Sequence, residues 1–206
     1  MGMGGRDRSV RGPNSERLAR SRTALLAAAR EMFTRDGFAQ AKTGEIVEAA
    51  GLTRGALYYH FPDKTAIFDA VVEEVARELV TRIDRAAEVS PDALSALRAG
   101  CAEWLDAMAD RELHRLYLVE APAAIGLARW REIDTTYGGR SLGQGIEAVL
   151  GERADPSIDP ATLTVLLSGA LNEAALWIAD ADNQAKARRA MKNSIDTLLS
   201  RLFDAA

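Results

Sequence analysis

A glycine set between two short amphipathic stretches constrains this chain more than any other feature. Ile46, Val47 and Ala50 fall on one face of a short helix predicted over about 44–50. Gly51 then supplies a tight turn at positive φ, and Leu52 returns to the core. Thr53 is a good N-cap for a second short helix, 54–60, which buries Leu57 and leads to a buried Phe61. Its outward face carries Arg54, Gly55, Tyr58 and Tyr59, with His60 at its end, and Gly55 and Ala56 are small enough to let backbone approach a groove. That is the anatomy of a helix-turn-helix. On residue type alone, Tyr58 and Tyr59 fit half-buried packing as well, and Arg54 fits a solvated surface charge.

Around this pair the chain reads as helix throughout. Ala, Leu, Glu and Arg are abundant, β-branched clusters are few, and the 6 prolines stand mostly at helix ends. Leu18, Leu25, Leu26, Ala29 and Phe33 form a helical stripe that begins at Asn14 or Ser15 and stops at Asp36-Gly37. Phe61-Pro62-Asp63 ends one helix and caps the next, expected over about 64–87. Ser90-Pro91 predicts a helix reaching about Asp110, Asp159-Pro160 one reaching Ala179, and Asp182 caps a last helix to Leu202. Pro122 and the glycine-rich run 138–145 predict a break and a loop or frayed helix end in the stretch 111–153. The expected architecture is all-α: a tail at 1–13, taken as disordered, a three-helix unit at 14–63, and a helical bundle at 64–206 joined to it by the long helix.

The charge is distributed unevenly. The formal net charge of −4 argues, as an average, against nucleic acid, yet residues 1–70 hold 11 Lys/Arg and 8 Asp/Glu, a net +3. Residues 71–206 hold 15 and 22, a net −7. Arg17, Arg20 and Arg22 place part of the excess on the first helix, where phosphate contact and plain solvation are both open readings. A single cysteine, Cys101, excludes an internal disulfide framework and suits a reducing cytoplasm. No membrane span is expected, and the start of the sequence lacks the apolar core of a signal peptide.

Specific residues tie the first third to a known family. Leu26-x-x-Ala29-x-x-x-Phe33, Gly37-Phe38, Ile46-x-x-x-Ala50-Gly51-Leu52 and Leu57-Tyr58-Tyr59-His60-Phe61-Pro62-Asp63-Lys64 resemble the DNA-binding domain of the tetracycline-repressor (TetR) family of bacterial transcription regulators. The resemblance runs from Leu25 to Leu79, and its closely matching positions cover about a quarter of the chain. It implies a partner, an operator in double-stranded DNA. It also implies phosphate contacts from Thr43, Tyr58, His60 and Lys64, and base-edge positions at Arg54, Gly55, Ala56 and Tyr59. Two residues depart from the pattern: Gly44 stands where many members carry a long polar side chain, and Val47 where Ala is common. Both bear on which DNA sequence is read.

A single helix-turn-helix binds weakly, so two copies on half-sites one helical turn apart are expected. Leu163, Leu166, Leu167, Ala170, Leu171, Ala174 and Trp177 form one broad apolar face, and Ile195, Leu198, Leu199 and Leu202 another. The resemblance implies that these helices pair with those of a second copy; an intramolecular core is the alternative use. Residues 91–153 are expected to hold a small-molecule effector, with Trp104, Met108, Tyr117, Ile125 and Trp130 as its apolar lining and His114, Glu120 and Tyr117 as polar handles. Each is individually compatible with plain core. No metal or cofactor site is expected: no Glu-x-x-His occurs, two His and one Cys make no recognisable zinc set, and residues 138–145 lack the Gly-Lys-Ser/Thr ending of a phosphate loop. An enzyme is therefore not expected. The alternative to a ligand-responsive repressor is an all-α small-molecule-binding or enzyme-like bundle without DNA binding.

Overall fold

A computed structural model describes residues 13–153 and 159–203, so the tail expected at 1–13 lies outside the described residues except for Pro13, which opens the first helix. Among the described residues every regular element is helical. The chain divides between Ile67 and Phe68 into two units, a few residues beyond the boundary expected at 63.

In the first unit, α1 (Pro13–Gln40) begins on a proline, whose fixed φ suits a first helical position. It breaks at Gly37, where φ is +79°. Leu25, Leu26, Ala29 and Phe33 point inward from α1 and meet Ile46 of α2 (Thr43–Ala49) and Leu57 of α3 (Arg54–His60). Gly51 adopts φ +65° between α2 and α3, as the turn requires. Thr53 Oγ1 accepts the Ala56 N–H at 3.2 Å, capping α3. Asp63 caps the start of α4 (Lys64–Glu88) by accepting the Ala66 N–H at 2.8 Å.

The second unit is built on α5 (Ala93–Ala107), which packs against α9 (Arg140–Arg153) and α11 (Gln184–Phe203), while α10 (Pro160–Ala179) lies on α9 and α11. Three caps differ from expectation or refine it. Asp92, not Ser90, caps α5, because its carboxylate takes both the N–H (2.8 Å) and the hydroxyl (2.9 Å) of Ser95. Asn183, not Asp182, caps α11 through the Lys186 N–H at 3.0 Å. Asp159 caps α10 through the Thr162 N–H at 2.8 Å. The 20-residue α10 holds an 18-residue window of mean hydropathy 1.4, a length and composition that a bundle's core helix shares with a membrane span, and its Leu167, Leu171, Ala174 and Ile178 are buried in the unit.

Between α5 and α9 the chain runs through α6 (Arg111–His114), a π-helical turn at Arg115–Glu120, α7 (Ala121–Ala124), α8 (Leu127–Asp134) and a second π-helical turn at Thr135–Gly139. Of the loop or frayed helix end expected over 138–145, the loop is corrected: the stretch is the end of a π turn and the start of α9. The glycines serve packing. A Cβ on Gly145 would stand 3.2 Å from Leu97 Cδ1, and one on Gly143 3.3 Å from Thr164 Oγ1, so their absence lets α9 approach α5 and α10.

Candidate nucleic-acid interface and ligand cavity

The outward face of α3 presents side chains that the core does not need. Leu57 is 1% exposed and anchors the helix, whereas Tyr58 is 56% and Tyr59 69% exposed. This removes the half-buried reading of the two tyrosines. Arg54 and Gly55 are exposed beside them; Ala56 and Thr43 are half-buried. Arg54 lies across Gly44: a Cβ on Gly44 would sit 3.6 Å from the guanidinium Nη2. The missing side chain at Gly44 thus opens the space that Arg54 fills, in a shallow concavity also bounded by Lys42, Thr43, Val47 and Leu52.

Two side chains expected on phosphate are engaged inside the unit. Lys64 Nζ donates to the carbonyls of Phe38 (2.7 Å), Ala39 (3.2 Å) and Ala41 (3.1 Å), and stands 4.6 Å from the centre of the Phe38 ring. These carbonyls follow the break at Gly37, where helical partners end, and the ammonium satisfies them. His60 Nε2 hydrogen-bonds Ser21 Oγ at 2.7 Å, tying α3 to α1. Both side chains thus hold partners inside the unit, and the phosphate contacts expected of them would have to be made alongside these. Arg22 stacks its guanidinium 5.4 Å from the Phe61 ring, and so also braces the unit.

In the second unit a cavity of about 390 Å³ opens between α4, α5, α9 and α10. Ile83, Ala87, Leu97, Cys101, Trp104, Leu142 and Leu171 give it an apolar wall, and Gly100, Gly138 and Gly145 leave room for it. One polar corner is made by Asp134, Ser168 and Asn172, with Asp84, Glu88, Ser141 and Gln144 elsewhere on the lining. Asp134 is the buried charged residue of the described chain, 9% exposed. Its carboxylate accepts from the Tyr117 hydroxyl (3.3 Å), the Ser168 hydroxyl (3.3 Å) and Asn172 Nδ2 (3.4 Å), all long for such bonds. Burial holds this carboxyl above the usual carboxylate range, against the opposing effect of the three donors. Burial also pushes the Cys101 thiol up to about 12, which leaves it an apolar wall residue, not a nucleophile.

Of the residues expected to line an effector site, Trp104 does so. Tyr117 and Trp130 stand behind the wall: Tyr117 packs edge-on between Trp104 (6.0 Å) and Trp130 (6.1 Å) and reaches Asp134 with its hydroxyl. Met108 and His114 border a separate hollow of about 190 Å³ with Arg111, Ile178 and Gln184. Glu120 pairs with Arg115 at 3.5 Å, and Ile125 is the half-buried C-cap of α7; neither meets the cavity. Asp134, Ser168 and Asn172 were missed. Asp134 lies one helical turn beyond the buried Trp130 and next to the buried Ile133, and a charged residue at that phase was the available signal.

The two apolar faces expected for dimerisation also divide. Leu167, Leu171, Ala174, Ile195 and Leu199 are enclosed by the chain's own core, and Leu163 is half-buried. Leu166, Ala170 and Trp177 of α10, and Leu198 and Leu202 of α11, are exposed.

Residues 25–71 match the bacterial regulatory proteins of the tetR family, and residues 94–202 match the tetracyclin repressor-like C-terminal domain. The chain belongs to the TetR family. A TetR-family transcriptional regulator from Pectobacterium atrosepticum has a similar structure, with TM-score 0.76 and 29% identity over 91% of this chain and 96% of that one. The transcriptional regulator FadR of Bacillus subtilis, solved in complex with stearoyl-CoA, has TM-score 0.69 and 18% identity over 86% and 96%, a likeness of fold. The HTH-type transcriptional regulator AcrR of Shigella flexneri is 32% identical over 99 residues, 48% of this chain and 46% of that protein. The match therefore spans about half the length of this curated relative.

Proposed function

We propose that this TetR-family member is a homodimeric repressor that leaves a palindromic operator when a small, mostly apolar molecule enters the cavity of the second unit. The observation that carries this reading is the exposed trio Arg54, Tyr58 and Tyr59 on a helix whose other face is locked by Leu57 and whose start is capped by Thr53. Arg54 has the bidentate fork that reads guanine, Tyr58 a hydroxyl for phosphate, and Gly55 and Ala56 leave the backbone free to approach. Thr43 stands at the start of α2, where helix-terminal N–H groups favour a phosphate. Two copies joined through Leu166, Trp177, Leu198 and Leu202 would present two such helices to half-sites about 34 Å apart.

The apolar wall of the cavity favours an apolar body with few polar contacts. Ile83, Asp84 and Ala87 of α4 line it, so a ligand acts directly on the helix that carries residues of both units. The ligand shifts the operator-bound population only by its different affinity for the two states. Such a protein works in the cytoplasm, beside the DNA, and performs no chemistry on its ligand. A mobility shift on the palindrome from its own upstream region tests the reading. Wild type retards that DNA, and Arg54→Ala and Tyr58→Ala lose most of the shift. Retardation equal to wild type by both variants would return the chain to the alternative, a ligand-binding bundle without DNA.

A further inference from the structure

The cavity contains a buried carboxylate that meets only neutral donors, and those at long distances. Several acids elsewhere hold partners at short distances: Arg129 Nε meets Asp69 Oδ2 at 2.9 Å, Lys192 Nζ meets Asp106 Oδ2 at 2.7 Å, and Ser141 donates to Asp84 at 2.7 Å. Asp134, the most enclosed of them, holds three neutral donors at 3.3–3.4 Å and has no cation within salt-bridge reach among the described residues. Burying a carboxylate so weakly bonded is costly, and a fold retains it where something else completes it. The rest of the lining has the same sign. Asp84 and Glu88 join Asp134, and no Lys, Arg or His lines the cavity among the described residues.

We propose that the cavity takes an amphipathic monocation, a protonated amine on an apolar body, with its ammonium on Asp134 and its body against Trp104, Leu97 and Leu171. This rests on reading the cavity as a ligand site. An ammonium supplies short charge-assisted bonds where the three neutral donors are long, and Ser168 and Asn172 flank the same oxygen to orient it. A carboxylate or phosphate ligand would meet three acids and no cation.

The test is calorimetric titration of the full chain with n-octylamine, n-octanol and octanoate, which share a body and differ in head group. The amine binds at least about tenfold more tightly than the alcohol, octanoate binds weakest, and octanol competes with the amine for one site. Asp134→Asn removes at least about tenfold of the amine affinity and leaves octanol within about threefold, while Asp134→Glu retains the amine preference. Octanoate binding as tightly as octylamine overturns the assignment, and so does an amine affinity unmoved by Asp134→Asn. The comparison among the three compounds on wild type stands even where a variant folds poorly. Operator release is read separately: amine binding through Asp134 without release refutes the effector role and keeps the ligand class, whereas absence of binding by all three refutes both.

Discussion

Lys64 offers the sharpest separation of two roles, because its ammonium already touches three carbonyls of its own unit. In Lys64→Met the side chain keeps much of its length and loses its charge. The carbonyls of Phe38, Ala39 and Ala41 then turn to water or to nothing, and the Phe38 ring no longer faces a cation. A net hydrogen bond to a charged group contributes about 1.5–3 kcal/mol, but the site is partly open to water, which replaces part of the loss. The sum is on the order of 2 kcal/mol, or roughly 4–8 °C in Tm for a chain of this size. Far-UV circular dichroism melts measure it.

The second measurement is duplex binding across a salt series at a temperature where the variant stays folded. A lysine that holds backbone leaves the slope of log Kobs against log salt unchanged. A lysine that neutralises a phosphate reduces it, on removal, by about 0.9 per phosphate left bare. An unchanged Tm with a reduced slope would refute the structural assignment and restore Lys64 to the DNA face.

Three further outcomes follow from other features. Asp134 has its folded pKa raised, chiefly by burial, so its contribution favours folding at acid pH and is lost as pH rises through that raised value. Asp134→Asn accordingly raises Tm at neutral pH, and the gain over wild type vanishes below the ordinary carboxylate range; a lower Tm for the variant at neutral pH would contradict this. Gly51→Ala forces a Cβ onto φ +65° with open space around it, so backbone strain alone operates, and denaturant melts should report a loss of about 1–2 kcal/mol. Trp177→Glu combined with Leu198→Glu places two charges on the exposed α10–α11 face; sedimentation should show monomer with unchanged helicity, and a persistent dimer would move the interface elsewhere.

The first unit was legible because its determinants are local. A cap at Thr53, a positive-φ glycine at Gly51 and an alternation of buried Leu57 with exposed Tyr58 and Tyr59 are all readable within a dozen positions. The internal bonds of Lys64 and His60 are illegible for the opposite reason: their partners Phe38 and Ser21 lie 26 and 39 residues away. The cavity suffered more. Large aromatics are the lining that residue type predicts, yet Tyr117 and Trp130 pack as a layer behind Trp104, and three glycines take part in the lining. Gly138 and Gly145 look like loop residues until α5 is known to lie against α9. Likewise, no pattern along one helix separates Leu166, exposed, from Leu167, enclosed, without knowing which neighbour α10 packs on.

The departures from regular helix formation in the second unit gather around one point. Tyr117 belongs to the first π-helical turn, and Asp134 immediately precedes the second, so the hydroxyl–carboxylate contact joins the two irregular turns directly. Such turns waste helical hydrogen-bond geometry, and a chain that needed only a stable bundle would have no use for two of them beside a buried acid. The second turn also carries Tyr137, whose hydroxyl accepts from Arg77 Nε of α4 at 3.1 Å, with the guanidinium 5.4 Å from its ring. Arg77 in turn pairs with Glu73 of α4 at 2.7 Å. A charge arriving at Asp134 therefore acts at the start of an irregular turn whose middle is bonded to α4. Moving a π turn toward α-helix changes the register of the residues after it, so a local electrostatic event at Asp134 has a short physical route to Tyr137 and the helix it holds. The buried Asp134 carboxyl and the irregular turn at Thr135–Gly139 therefore adjoin one another at one corner of the cavity, where a bound charge would be felt first.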